Sequence, residues 1–451
     1  MGPFLRIVTF ADILHLHGSR SLFKGLLDII RGMRLVTVLS LFVAALVATS
    51  EETPREVLIL ARVRAHMASV LARLPNYTCL QTIERTSRIP GKRTELIDLV
   101  RLEVALVNGR ELFAWPGSRN FEDGEITDMV KGGAIGNGNF ALHAKSVFQS
   151  HVPRFTFAGE RIRDDGRNTL RWDFVVPQLL SGYTLKQGEQ KAIVGYHGSF
   201  WVDPTSLDLL RLEVYADDIP PNLKIATAAD SVEYQRIQLG EGSFLLPSKS
   251  ELNMKDLNGA ESQNRTTFTR CRQYSGESTI SFDDPTDAAK PAQEERTLRL
   301  PAGVRLELAL ETPVADGQTA VGDPVTAILK RSVKLGSGLV APKGALVHGR
   351  MTHLRRQQTS RPGWAIGMTF FEMEWPGTRA QLRATLEDMP SVSMLASGNA
   401  EYRMLLRQIA SREGIFLLPG YRLTVPRGFP MIWRTQPLQA EDNSDPIRTR
   451  N

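Results

Sequence analysis

The 451-residue sequence lacks the short motifs by which common classes of enzyme are identified. It contains no Gly-x-Ser-x-Gly nucleophile elbow, no Walker-type phosphate loop and no His-Glu-x-x-His zinc motif. Cysteine is also scarce. The chain has Cys79 and Cys271 alone, and neither belongs to a Cys-x-x-Cys pair, which disfavours redox catalysis and zinc fingers. We therefore expect a protein that is not an enzyme and that binds no metal or cofactor.

The N-terminal part of the sequence lacks an apolar run of ordinary membrane-spanning length. Its apolar stretch, Leu35–Ala48, is shorter than the roughly 18–20 residues that span a bilayer. Basic residues precede it and small residues follow it, which is typical of a cleaved secretory signal peptide over residues 33–50. We interpret residues 1–32 as lying upstream of a true translation start at Met33, and a long leader with a short amphipathic piece over Leu22–Ile30 is the alternative. This predicts a periplasmic or secreted protein, and a protein anchored in the inner membrane by an uncleaved segment is the alternative.

Export would place the two cysteines in an oxidising compartment. An even number of cysteines there suggests that Cys79 and Cys271 form a disulfide. Cys79 opens the first predicted strand and Cys271 lies on the last strand before a predicted linker, so the bond would join the two ends of one domain. Two isolated buried thiols are the alternative.

Charge is not concentrated in any part of the chain. Lys and Arg number 55 against 49 Asp and Glu, which gives a net charge of +6. The densest basic piece, residues 353–356 (HLRR), is followed by Arg361 in a stretch rich in Gln, Thr, Ser and Pro. We predict that this piece is a solvated loop. Because the basic residues are otherwise scattered, we expect no nucleic-acid partner.

One glycine-rich stretch matches the spelling of a dinucleotide-binding loop. Residues 136–141 read GNGNFA, which fits Gly-x-Gly-x-x-Ala. Such a site needs a preceding buried strand and a parallel βαβ unit, whereas the neighbours here are polar loop and predicted antiparallel strands. We therefore expect a loop that leads into a short helix over Phe140–Gln149.

Apolar periodicity predicts one long helix followed by many strands. Apolar residues recur every three or four positions over Pro54–Leu74, and His66 beside this stripe is expected to be packed or exposed rather than a ligand. The period then changes to two, and Asn108-Gly109 and 203–206 supply hairpin turns. The predicted strands are Tyr77–Arg88, Thr94–Val107, Glu111–Trp115, Arg154–Ile162, Thr169–Val176, Tyr196–Val202, Leu207–Tyr215, Val232–Leu239, Ser243–Leu252 and Arg265–Tyr274.

The pattern divides the chain into two β-rich domains. Residues 54–283 form the first, residues 284–297 are a polar linker that contains proline, and residues 298–437 form the second, before a tail at 438–451. A further helix is predicted over Ala400–Arg412. The predicted fold class is α+β and predominantly antiparallel β, with an N-terminal helix and a curved half-barrel sheet followed by a small β-barrel or sandwich.

Aromatic residues on one predicted strand mark a candidate binding face. Tyr196 and Phe200 share one face of the strand, while Trp201 points to the other. A single helix can cover only part of so wide a sheet, so we expect Tyr196, Phe200 or their neighbours to line an exposed apolar surface. Packing of both rings in the core is the alternative.

The first domain resembles a family of envelope proteins. It begins with Leu74–Cys79 (LPNYTC), and 198–204 (GSFWVDP) leads into Leu210–Glu213. In this order of helix and meander it resembles the half-barrels of LolA, LolB and RseB, and also exported bacterial proteins of uncharacterised function. The resemblance covers roughly 54–283. It implies an apolar cup that holds acyl chains, without assigning any ligand contact in this chain.

The second domain resembles the β-barrel of TrbI-like conjugal-transfer proteins. The resemblance rests on Pro301–Val304, on Gly322–Val325 and on 341–349 (APKGALVHG), and it covers roughly 298–437. It implies a compact barrel that takes part in an assembly of the cell envelope.

These observations predict an exported envelope protein without catalysis. The leading hypothesis is that the N-terminal half-barrel binds a lipid, another apolar ligand or a segment of an envelope protein partner, with the C-terminal barrel as a docking domain. A structural component of a cell-envelope or secretion-type assembly is the second hypothesis, and an enzyme of unknown class is the third. The oligomeric state is not predicted.

Overall fold

The structure is a computed structural model of the whole chain. It describes residues 53–118, 121, 126–130, 134–136, 138–163, 166–188, 190–274, 296–335, 339–357, 363–388 and 414–438. The predicted signal peptide, nearly all of the predicted linker, the helix expected over 400–412 and the tail after 438 lie outside these residues. The chain forms two compact units, one up to Leu60 and one from Ala61 onward. All the strands below belong to the second unit, and the predicted domain division at 284–297 stays a prediction.

Three α-helices occur among the described residues, beside two short 3-10 helices at Gln178–Leu180 and Pro221–Leu223. They are α1 (Arg55–Ala72), α2 (Ile126–Met129) and α3 (Leu142–Phe148). The long helix predicted from periodicity is α1, and its stripe is buried through Val63, Met67, Val70 and Leu71. No helix in the described part of the chain has both the length and the apolar character needed to cross a membrane.

A ten-stranded antiparallel sheet contains most of the first half of the chain. Its members, with the separate β6–β7 hairpin, are β1 (Tyr77–Arg88), β2 (Glu95–Val107), β3 (Arg110–Ala114), β4 (Arg154–Ile162), β5 (Asn168–Val176), β6 (Thr184–Gln187), β7 (Gln190–Ile193), β8 (Gly195–Val202), β9 (Leu209–Asp217), β10 (Ile225–Leu239), β11 (Gly242–Asp256) and β12 (Glu261–Gln273). The spatial order is β3-β2-β1-β12-β11-β10-β9-β8-β5-β4. β1 and β12, which are the first and last strands of this sheet in chain order, are therefore neighbours.

The alternation of the strands accounts for the layer structure of this sheet. Along β1 the side chains of Cys79, Gln81, Ile83 and Arg85 are buried, while the positions between them are more exposed. The sheet curls as a half-barrel, and the fold is α+β and predominantly antiparallel β, which confirms the predicted fold class.

A second large sheet is built from the C-terminal part of the chain. The remaining strands are β13 (Arg296–Arg299), β14 (Arg305–Leu310), β15 (Val314–Ala315), β16 (Pro324–Leu329), β17 (Val333–Lys334), β18 (Val340–Ala341), β19 (Leu346–Gln357), β20 (Gly363–Trp375), β21 (Thr378–Gln381), β22 (Arg383–Asp388), β23 (Ile415–Pro419), β24 (Thr424–Val425) and β25 (Pro430–Gln436). The order is β13-β21-β20-β19-β16-β14-β25-β22, and β23 pairs with β20. The pairs β15–β24 and β17–β18 form small separate ladders.

The two large sheets contact each other and share one hydrophobic core cluster. The backbone N–H of Arg101 on β2 donates to the carbonyl of Val321, and the N–H of Val321 donates to the carbonyl of Leu99, both at 2.8 Å. The guanidinium of Arg101 also lies 2.6 Å from a carboxylate oxygen of Asp323. This junction fixes β2 of the first sheet against the loop before β16.

Glycine is required at one position of this junction. Gly322 has a φ of +97°, and a Cβ atom there would lie 2.3 Å from the carbonyl oxygen of Arg101 and 2.7 Å from the ring of Trp115. Both the left-handed backbone and the close approach exclude a larger residue. The structure thus gives a local packing reason for the Gly322–Val325 spelling.

Candidate functional site

The two aromatic residues proposed from the sequence as a binding face are buried. Phe200 is 0% exposed and Tyr196 is 5% exposed. The ring of Phe200 stacks on that of Trp172 at 5.6 Å and meets that of Phe148, on α3, at 5.0 Å. Phe155 on β4 approaches Phe200 from another side at 5.9 Å.

This burial corrects the expectation that Tyr196 and Phe200 face an open surface. A single covering helix would leave this face of the sheet open. In the structure, α3 and the β4–β5 hairpin also cover the face that carries Phe200. The interior around Phe200 is filled by side chains, and neither aromatic residue lines any of the three clefts described below.

The glycine-rich loop holds a carboxylate of the same chain. Glu111 accepts hydrogen bonds from the backbone N–H groups of Gly138 (2.9 Å), Ala141 (2.8 Å) and Leu142 (3.2 Å). These N–H groups precede or begin α3, where negative charge is stabilised. The loop uses these three donors within the fold, and it leads into a helix as the sequence predicted.

His66 connects α1 to the sheet. Its Nε2 atom lies 2.8 Å from Oδ1 of Asp208, which also accepts two hydrogen bonds from the guanidinium of Arg236, at 2.7 and 2.8 Å. Burial alone would raise the pKa of Asp208, but the hydrogen bonds from Arg236 and His66 outweigh it and hold the pKa below its ordinary value. The group is a structural connection, in line with the sequence expectation for His66.

One buried polar group combines residue types that also occur in catalytic sites. The hydroxyl of Tyr183 donates to Oδ2 of Asp230 at 3.3 Å, and Nε2 of His143 lies 3.5 Å from the same oxygen. Burial, and after it the charge of Asp230, raises the pKa of Tyr183 far above its ordinary value, so the phenol stays protonated. It therefore acts as a hydrogen-bond donor to a buried carboxylate.

The strongest candidate for a binding site is a cleft of about 560 Å³ at the junction of the two sheets. We call it the junction cleft. Its apolar lining consists chiefly of Ile89, Leu96, Leu354, Trp364 and Tyr421. Ile89, Leu96 and Tyr421 are 52%, 48% and 74% exposed, which is unusual for large apolar side chains gathered in one place. The volume lies within the range of about 300–1,000 Å³ that ligand sites occupy.

Four cationic side chains surround this apolar lining. Lys92 and Arg93 lie in the turn between β1 and β2, and Arg355 and Arg356 lie near the end of β19. All four are exposed, and none forms an ion pair with any residue that the structure describes. Unpaired cations beside exposed apolar surface favour a ligand that carries both an apolar part and negative charge.

The placement of Arg355 and Arg356 corrects another expectation. The sequence predicted a solvated loop over 353–356, but these residues belong to β19 and pair with β20, from His353 opposite Gly367 to Arg356 opposite Trp364. The polar composition of the flanking residues concealed the strand. Leu354 is buried on β19, and Arg355 and Arg356, which follow it, are both exposed and both line the cleft.

The acidic residues of the cleft only partly balance these cations. Asp98 is held by the buried guanidinium of Arg85 in two hydrogen bonds of 2.7 and 2.6 Å, and Glu84 lies 3.7 Å from Arg265. Of the four carboxylates that line the cleft, these two are engaged outside it, while Glu95 and Asp316 have no ion-pair partner in the described part of the chain. Among the described residues, four cations without an ion pair against two such carboxylates leave an excess of positive charge in the cleft.

Trp364 is a largely buried residue of the cleft lining. It is 7% exposed, and its Nε1 atom is buried without a hydrogen-bond partner among the described residues. A buried donor without a partner is uncommon in folded proteins. Because this atom has no accessible surface, Trp364 contributes apolar ring surface to the cleft.

A group of three side chains meets the distance requirement for a metal site. The ligand atoms of His348, Glu372 and Glu374 lie within 4.8 Å of one another. However, Arg379 lies 3.5 Å from Glu372 and 3.9 Å from Glu374, so a cation of the chain already balances the carboxylates. The arrangement is explained by ion pairing across β20 and β21.

Sequence reasoning did not find the junction cleft. Its residues come from the β1–β2 hairpin, the 316–319 loop, the end of β19 and two positions, Trp364 and Tyr421, far along the chain. No spacing in the sequence connects these segments. The basic piece at 353–356 was the one available signal, and its composition favoured a loop.

Comparison with known proteins gives a likeness of low degree. No family model matches the sequence, and no curated protein matches it. Among solved structures, a LolA superfamily protein from Nitrosomonas europaea is 10% identical with a TM-score of 0.26, and the alignment covers 50% of this chain and 97% of that one. A DUF1329 family protein from Desulfovibrio piger is also 10% identical, with a TM-score of 0.27 and a coverage of 49% and 95%. Likeness of this degree assigns no function to the present chain.

Proposed function

We propose that this protein is a non-catalytic binding protein whose junction cleft holds an apolar ligand with an anionic head group, such as a fatty acid or another single-chain acidic lipid. One observation carries the proposal: unpaired cations surround exposed apolar side chains in one cleft of ligand size. This keeps the predicted ligand class but moves the site from Tyr196 and Phe200 to the junction of the two sheets. The second sheet then supplies part of the binding site.

The physical chemistry of the cleft favours such a ligand. Ile89, Leu96 and Tyr421 would bury apolar surface against an acyl chain, and each buried CH₂ group contributes about 0.8 kcal/mol. The head group would lie against one of the exposed guanidinium groups of the cleft, that of Arg355 or that of Arg356, because a guanidinium group forms paired hydrogen bonds with carboxylate or phosphate.

An oxidising compartment is part of this proposal. Cys79 and Cys271 are bonded in the structure, and such bonds persist mainly in secreted and periplasmic proteins. The signal peptide proposed for residues 33–50 agrees with this location. A periplasmic or secreted protein would meet acidic lipids at the membranes of the cell envelope.

Titration of the full chain with a fluorescent fatty acid tests the proposal. We expect saturable binding at micromolar concentrations that palmitate displaces and hexadecanol, which lacks the acid, displaces poorly. The double variant Arg355→Glu/Arg356→Glu should bind at least about tenfold more weakly, which corresponds to about 1.4 kcal/mol. The matched control, Lys334→Glu/Lys343→Glu, changes the net charge equally at exposed positions outside the cleft and should bind as the wild type does.

A structural component of a cell-envelope assembly is the second candidate function. The observation that favours it is the filled aromatic interior around Phe200, which leaves no open apolar cup in that part of the half-barrel. If both charge-reversal variants and the wild type bind the fatty acid equally weakly, the junction cleft is not a lipid site. Retention of the protein in a large complex from the native host would then support the structural function.

A further inference from the structure

An arginine occupies a backbone conformation that normally belongs to glycine. Along β1 and β12, Thr78 pairs with Arg272 and Leu80 pairs with Thr269, so Arg270 and Cys271 together face the single residue Cys79. This two-against-one arrangement is a β-bulge. Within it Arg270 has a φ of +50°, in the left-handed region.

The bulge is held in place by a covalent bond. Cys271 follows Arg270 directly, and it is bonded to Cys79 on the partner strand. Glycine adopts the left-handed conformation without steric cost, whereas an arginine there is disfavoured by its Cβ atom. Non-glycine residues held in such conformations cluster at functional sites. The surroundings of the Arg270 side chain are therefore of functional interest.

The Arg270 side chain lines a cleft of about 520 Å³ on the outer face of β2, β1 and β12. We call it the bulge cleft, and it shares no lining residue with the junction cleft. Thr78, Thr82 and Thr269 also line it. The hydroxyl of Thr269 donates to the carbonyl of Leu80 at 3.5 Å and Thr78 is buried, so Thr82 is the threonine whose hydroxyl could donate to an anion beside a guanidinium group.

The other charges of the bulge cleft are paired among themselves. Arg101 lies 2.6 Å from Asp323, and Arg272 lies 3.2 Å from Glu103. Arg270 is exposed and has no ion-pair partner among the described residues. The cleft thus contains three arginines and two carboxylates, and the cation without a partner is the one in the left-handed conformation.

We propose that the bulge cleft is an anion site in which Arg270 binds a carboxylate or phosphate group of a ligand. The planar guanidinium group can form two parallel hydrogen bonds with either anion, and the hydroxyl of Thr82 could supply a further donor. The bulge takes Arg270 out of the regular ladder, and the adjacent disulfide holds the backbone of the bulge. This site is additional to the junction cleft and does not depend on lipid binding there.

The proposal is tested by unfolding the full oxidised protein in increasing inorganic phosphate and, separately, in increasing acetate. Chloride keeps the ionic strength constant in both series. A ligand that binds only the folded state raises the unfolding midpoint with its concentration. We expect phosphate, acetate or both to raise the midpoint of the wild type, and the two series identify which anion the cleft prefers.

Two variants separate binding by Arg270 from general salt effects. Arg270→Gly removes the guanidinium group and suits the left-handed backbone, so it should fold normally and bind the anion at least about tenfold more weakly. Arg270→Lys keeps the charge but loses the paired geometry and should bind with intermediate affinity. The control Lys249→Gly, an unpaired lysine on β11 outside the bulge cleft, should retain the wild-type response. An equal response of the wild type and Arg270→Gly, or no response of the wild type to either anion, would overturn the proposal.

Discussion

Removal of the disulfide between Cys79 and Cys271 is expected to lower the free energy of unfolding by up to about 5 kcal/mol. The bond closes a loop with a sequence separation of 192 residues. In the chain-entropy relation a loop of that length loses about 18 cal/mol/K in the unfolded state, which is about 5 kcal/mol at 25 °C. Measured losses for native disulfides are typically about 2–5 kcal/mol, so this figure is the upper end of the expected range.

Urea unfolding measures this effect directly. The comparison uses the oxidised wild type, the wild type reduced with dithiothreitol, and the variant Cys79→Ala/Cys271→Ala, with the buried Trp172 among the fluorescent reporters. The reduced protein and the variant should share a lower midpoint and a steeper dependence on urea, because an unlinked unfolded chain exposes more surface. Dithiothreitol should leave the variant unchanged. Coincident midpoints for the oxidised and reduced wild type would refute the reasoning.

Two further predictions concern the packing and the charges of the fold. Gly322→Ala should destabilise the protein by about 2–4 kcal/mol, because it adds a left-handed non-glycine residue and a Cβ atom 2.3 Å from a carbonyl oxygen. Gly344→Ala, where φ is +94° but no atom lies within 4 Å of the new Cβ, should cost only about 1 kcal/mol, and thermal unfolding of both variants gives the comparison. Because the pKa of Asp208 is lowered in the folded state, its carboxylate stabilises the fold above about pH 4, and the contribution is lost as the pH falls through the lowered pKa. Asp208→Asn should therefore destabilise the protein by about 2 kcal/mol at neutral pH and flatten the fall in its unfolding midpoint below about pH 4. An unchanged acid profile would show that Asp208 does not contribute in this way.

Local patterns in the sequence predicted the strands that have regular alternation. Tyr77–Arg88 and Arg154–Ile162 have the predicted bounds, and the helix predicted over Pro54–Leu74 occupies Arg55–Ala72. These elements carry their signal within a few consecutive residues. The β6–β7 hairpin was missed because its strands have four residues each, too few for a period of two to stand out.

The site depended on information that local patterns do not contain. Alternation placed Tyr196 and Phe200 on one face but did not show that α3 and β4 cover that face. The junction cleft is formed where the β1–β2 hairpin meets β19, and only the tertiary fold brings Lys92 near Arg355. The proposed function therefore rests on residues that come together only in the folded chain.

The neighbouring positions of β1 and β12 also limit the order in which the strands can pair. The β1–β2 hairpin can form early. The other edge of β1 finds its partner only when the residues near Gln273 are available, because Tyr77 pairs with Gln273. Contacts so distant in sequence form slowly, because a long loop must close before they contribute. During that interval the open edge of β1 presents unpaired backbone groups on which another chain could add a strand. The protein is thus most exposed to aggregation before β12 has paired with β1, and we expect the yield of folded protein to depend on how quickly that pairing follows export.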